Sequence, residues 1–138
     1  MNGGTPCAAG VSFGPTPNGK HYISLYIHRG HRPARSKWSI APVDEFAIFG
    51  LADAGDWYAV PGHYWGVSGP QANTIGQAGE RVCKFPFNQN AQLPWHGYPV
   101  SLQDDRRNDS PPDILIYKWM ILGVVSRTIG NKILRGRI

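Results

Sequence analysis

Charge is scarce in this 138-residue chain: Asp, Glu, Lys and Arg make up 17% of it, against about a quarter in an ordinary globular domain. Cysteine is scarcer still. Only Cys7 and Cys83 occur, so no disulfide framework holds the chain, and two reduced thiols in a cytoplasmic protein are expected. No apolar run is long enough to cross a bilayer, because the longest, ILIYKWMILGVV, is short and carries Lys118. The start, MNGGTPCAAG, has neither a basic segment nor a long apolar run, so it is not read as a secretory signal. Internal repeats and heptads are missing, which excludes solenoids and coiled coils. No C-x-x-C or H-E-x-x-H frames a metal, and Asp104, Asp105, Asp109 and Asp113 fall in a stretch interrupted by Arg106 and Arg107. A self-compensating loop is expected there, with no metal and no cofactor.

What is present is turn chemistry, aromatic surface and a basic balance. The 17 glycines and 12 prolines require many loops, aromatics reach 12%, and the formal charge is +5 with a pI near 9.5. A length of 138 residues suits one domain with a core of its own. Residues 1–19 are rich in Gly, Pro, Asn and Thr and are expected to form a flexible, disordered tail, leaving residues 20–138 as a single α+β domain.

Within it, HYISLYIH (21–28) alternates with period two and predicts a half-buried strand. VDEFAIFGLA fits either a short helix or a strand. DWYAVPGHYWGV reads as two short strands around Pro61-Gly62, and ERVCKFPF as another strand ending at Pro86. SPPD at 110–113 predicts a helix: Ser110 as cap, Pro111 in the first position, Asp113 completing a capping box, and Gly123 closing it after Leu122. Only Asp113 and Lys118 are charged around this helix, so it is expected to be nearly enclosed. Ser126 predicts a second helix ending at Gly136, with Val125, Ile129 and Ile133 inside and Arg127, Asn131 and Arg135 outside. The fold expected is an antiparallel β-rich body over about residues 20–100, followed by a C-terminal helical pair.

Three groups of residues carry chemistry. Arg29, Arg32, Arg35 and Lys37 in the basic loop, with Arg127, Asn131, Arg135 and Arg137 at the C-terminus, are the side-chain types that hold phosphates and read base edges. His28, His31 and His96 titrate near neutrality and can move protons at a phosphodiester without a metal, arginines stabilising the added negative charge. Trp95 and Tyr98 in LPWHGYPV, with Trp57 and Trp65 on neighbouring strands, can form a pocket that stacks a base, His96 being its polar group. The blander expectation for that stretch is a packed corner.

Two functions follow. One is a small basic domain that engages nucleic acid, RNA more than duplex DNA, with a metal-independent RNase of the bacterial toxin kind as its catalytic form. The other is a protein–protein interaction module or small subunit of a larger assembly, such as a bacterial or phage defence system. The enclosed helix followed by an exposed basic one suits docking on an acidic protein partner. Neither involves a membrane.

Overall fold

The computed structural model describes residues 4–30, 36–59, 62–88, 93–102 and 109–138. It is an α+β fold of two antiparallel sheets and three helices. Strands β1 (Thr5–Pro6), β2 (Gly10–Phe13) and β3 (Tyr22–Leu25) form the first sheet in that order. Helix α1 (Pro42–Ala54) follows. Strands β4 (Tyr58–Ala59), β5 (His63–Gly66), β6 (Val82–Phe85) and β7 (Tyr98–Val100) form the second sheet, also in chain order. Helices α2 (Asp113–Ile121) and α3 (Arg127–Leu134) close the chain.

Within the stretch expected as a tail, residues 1–19, Thr5–Pro6 and Gly10–Phe13 are strands of the first sheet. Strand β2 lies in register with β3, Gly10 opposite Leu25 and Phe13 opposite Tyr22. A Cβ on Gly10 would stand 2.0 Å from the Ser24 carbonyl oxygen, so the small residues that suggested disorder are what let the strands meet. Strand β3 is also shorter than its alternation implied. It ends at Leu25, and Tyr26–His28 form a single 3-10 turn. Both its faces are covered: Ile23 on one, and Tyr22 and Ser24, each fully buried, on the other.

The ambiguous segment is helical. In α1 the buried residues are Glu45, Ile48, Phe49, Ala52 and Asp53, a helical stripe with a carboxylate at either end. Phe49 sits at the centre of the core, with ring centroids of Tyr22, Phe85, Trp95 and Tyr64 at 5.0, 5.2, 5.8 and 5.9 Å.

All three helices end alike. Asp56, Gly123 and Gly136 take positive φ one residue past the caps. The amides of Trp57, Val124 and Arg137 reach back to the carbonyls of Ala52, Trp119 and Lys132, each at 2.8 Å, the Schellman pattern. At the other end, Ser126 caps α3 by accepting from the Ile129 amide at 3.1 Å, as expected. Ser110 does not cap α2. Its hydroxyl lies on the Pro111 carbonyl, and Pro112 occupies the cap position without a side-chain bond. The physical reason is the second proline: a residue before proline is driven out of the helical region, so Pro111 cannot begin the helix.

One contiguous core runs from Phe13 to Ile133 and includes Leu115, Ile116, Trp119, Val125 and Ile129 of the helical pair. Trp119 meets Trp57 edge to face at 5.7 Å. The Ser126 amide donates to the Pro70 carbonyl at 2.9 Å, fixing the start of α3 to the body.

Candidate functional site: the C-terminal helical pair

The polar residues expected to form a site in the body are mostly drawn into the fold. Arg29 donates from Nη2 to Glu45 at 2.7 Å, from Nε to Ser24 at 2.7 Å and from Nη1 to the Ile40 carbonyl at 2.7 Å. Glu45 is fully buried and also accepts from Tyr22 and Ser24. Burial pushes the Glu45 carboxyl up, and the donors from Tyr22, Ser24 and Arg29 oppose that shift. Lys37 is buried and donates to the Ile27 carbonyl. Each cation satisfies an internal acceptor that burial would otherwise leave bare. His31, Arg32 and Arg35 lie outside the described residues.

His28 is also buried. Its Nδ1 donates to the Ser36 carbonyl at 3.1 Å, and its ring stacks on Tyr98 at 5.5 Å. His96 is half-buried, its Nδ1 enclosed without a hydrogen-bond partner among the described residues. Burial holds the His96 imidazole below its usual range, which favours the neutral ring. Among the described residues no three or more His, Cys, Asp or Glu side chains are arranged to hold a metal.

LPWHGYPV forms a stitched corner more than a single pocket wall. The Ile23 amide donates to the Trp95 carbonyl and the Trp95 amide to the His21 carbonyl, both at 2.8 Å, tying this stretch to β3. Gly97 is needed for close approach, since a Cβ there would meet Phe85 at 2.3 Å. Trp95 packs among Phe49, Tyr64 and Phe87 on the α1 side of the second sheet. Tyr98 stands in register with Lys84 and Trp65 on its other face. Lys84 there lies 5.4 Å from the Trp65 ring and bonds Asp109 at 3.0 Å. Trp57 is buried against Trp119. Trp95, Tyr98, Trp57 and Trp65 are therefore spread over three packing environments.

The helical pair presents a different surface. Residues 1–113 hold nine cations and nine carboxylates, whereas residues 114–138 hold five cations and no carboxylate. The whole excess charge of +5 thus lies beyond Asp113, the first residue of α2. Arg127, Asn131, Lys132, Arg135 and Arg137 are all exposed, so the outer stripe of α3 is placed as expected. None of these cations has an ion-pair partner among the described residues.

Helix α2 departs from expectation. It is far from enclosed: Ile114 is 77% exposed, Tyr117 52%, Ile121 83% and Leu122 61%. Leu115, Ile116 and Trp119 form its buried face. The helix therefore carries two apolar stripes, and the core covers one. Its outer stripe adjoins a hollow of about 440 Å³ lined by Tyr117, Met120, Ile121, Arg127 and Asn131. A second hollow of about 430 Å³ lies on the far side of Asn131, lined by Thr128, Lys132, Arg135 and Arg137. Two signals in the sequence point here. Residues 114, 117 and 121 follow helical spacing separately from 115, 116 and 119, and Asp113 is the last carboxylate of the chain.

No family model matches the chain, and neither a curated protein nor a solved structure matches it.

Proposed function

We propose that the chain is a protein-interaction module that docks on an acidic protein partner through its C-terminal helical pair, as a subunit or adaptor of a larger assembly. The observation that carries this is the uncovered apolar stripe Ile114, Tyr117, Ile121 and Leu122. Contiguous exposed apolar surface marks a partner site when polar residues rim it, and Tyr, Met and Arg are the side chains enriched in such contacts. Cations prevail around it, Arg127 beside the hollow and Lys118 on α2 against the single carboxylate of Asp113 at the helix start, which favours an acidic partner in encounter and in register. No helix among the described residues is long and apolar enough to cross a membrane. A cytoplasmic setting agrees with the unpaired thiols Cys7 and Cys83. The test is zero-length coupling with a carbodiimide, which joins amines to carboxylates, applied in the cells that make the protein. Products joined to another protein through Lys132 are expected. Coupling confined to Lys20 or Lys84 would move the docking face to the body and end the proposal.

Nucleic-acid engagement is the second reading, favoured by the carboxylate-free outer face of α3. Arg127, Arg135 and Arg137 would contact phosphates, with Asn131 beside them. Removing each arginine should then lower the salt slope of RNA binding by about 0.7–0.9 unit. Its RNase form would need His28, His31 and His96 to act on one phosphodiester, and RNA cleavage that survives His96→Ala excludes His96 from that role.

A further inference from the structure

We propose that the hollow between α2 and α3 seats an amphipathic helix of the acidic partner. The partner's apolar ridge would rest on Tyr117, Met120 and Ile121, and its carboxylates would lie against Arg127 and Asn131. This rests on the docking function above and names the element that docks.

Shape is the first ground. The hollow is concave, walled by Tyr117 and Ile121 on one side and by Arg127 and Asn131 on the other. A concave strip beside a helix receives a ridge of side chains, the helix-in-groove mode. Met120, half-buried, lines it with a flexible, polarisable side chain suited to adapting to such a ridge. Behind it, α3 crosses closely: a Cβ on Gly130 would stand 2.3 Å from the Met120 sulfur, so the glycine lets Met120 lie between the helices.

Length is the second. Ile114 to Leu122 spans two turns of α2, about 12 Å at 1.5 Å per residue, so a partner helix of about three turns covers the stripe. Charge is the third, and it chooses among occupants. A second copy of this chain would bring five further cations against five, with only Asp113 of each copy to offset them. A nucleic acid supplies anions for Arg127 but leaves Ile114, Ile121 and Leu122 wet. An anionic bilayer fits both charge and apolar stripe, but it presents no ridge to fill a hollow. An acidic amphipathic helix satisfies all three.

The experiment uses the full chain and two fluorescent peptides of about 15 residues, long enough for marginal helicity. One carries Leu at helical i, i+3, i+4 and i+7 spacing flanked by Glu; the other has the same composition scrambled. Vesicles containing phosphatidylserine are the third probe. The ordered peptide is expected to bind at least about tenfold more tightly than the scrambled one. Ile121→Glu should remove that preference with the melting temperature held. Ile114→Asp, at a second exposed position, serves if the first variant melts early. Equal affinity for the two peptides overturns the helix seat while leaving docking on an acidic partner standing. Failure of both peptides to bind overturns the two together. Tighter binding to vesicles than to the ordered peptide overturns the seat in favour of a membrane surface, and an ordered-peptide preference that survives both variants places the seat elsewhere.

Discussion

The body and the helical pair handle charge in opposite ways. Residues 1–113 hold equal numbers of cations and carboxylates, and three pairs of them meet among the described residues. Arg29 lies with Glu45, and Lys20 lies 2.8 Å from Asp53, whose side chain is 2% exposed. In the helical pair every charged side chain beyond Asp113 is positive, and those of Arg127, Lys132, Arg135 and Arg137 are exposed, near apolar side chains of α2 that stay exposed too. Buried, paired charge specifies how one chain folds. Exposed, one-signed charge beside uncovered apolar surface specifies what a second molecule must look like. The difference lies in the second face: α2 and α3 each give one face to the core and leave the other exposed.

The strongest test of that contrast is Glu45→Ala. It leaves Arg29, Tyr22 and Ser24 without their acceptor, so urea denaturation should show a loss of about 3–5 kcal/mol. A loss below about 1 kcal/mol would mean that the buried network does not anchor the body. A smaller effect is expected in the pair. Ser126→Ala removes the α3 cap and should cost about 1 kcal/mol in the same assay, while Ser110→Ala should cost much less because Ser110 caps nothing. Equal losses at the two serines would contradict the observed start of α2.

The smallest effect is on pH. His96 and His63 are both held below the ordinary histidine range, by burial first, with Lys84 adding to the effect at His63. His63 Nδ1 accepts from the Phe87 amide at 2.9 Å, which requires that nitrogen to be unprotonated. A depressed folded-state pKa gives stability that is complete above the unfolded value, about 6.5, and lost as pH falls through the folded value. Asp53 extends the loss to lower pH: burial alone would raise its carboxyl, but Lys20, Thr16 and Asn18 hold it below its usual range. His96→Gln should flatten the melting-temperature profile below neutrality without moving it above. A profile unchanged by that substitution removes His96 from the acid response.

How much of this the sequence disclosed depended on where its signals were unmixed. The ends of α2 and α3 were legible because Gly123 and Gly136 occupy the positive-φ positions and Ser126 makes its bond. The end of α1 uses the same backbone pattern with Asp56 in the left-handed position, while its glycine, Gly55, sits one residue earlier at the cap with a negative φ. Its inner stripe holds Glu45 and Asp53, which blurred the apolar periodicity into ambiguity. The site was half legible. The basic stripe of α3 followed from spacing alone. The apolar stripe of α2 was mistaken for core, because a helix poor in charge was equated with an enclosed one. Ile114, Tyr117 and Ile121 have the composition of core residues, and only the packing of α2 shows which stripe stays outside.

The stitch between Tyr22 and Trp95 has a consequence for how the chain is made. Ile23 and His21 wait for backbone partners that are synthesised only when the ribosome reaches Trp95. Contacts between residues so distant in sequence form slowly, whereas α2 and α3 close on each other across the short turn at Gly123. Folding should therefore be limited by the body, with the C-terminal pair joining quickly once it emerges. Until then β3 presents unpaired backbone on that side, an open edge of the kind that recruits stray strands. A nascent chain that stalls before Leu93 would carry that edge uncovered, and such fragments are expected to associate with one another rather than remain monomeric.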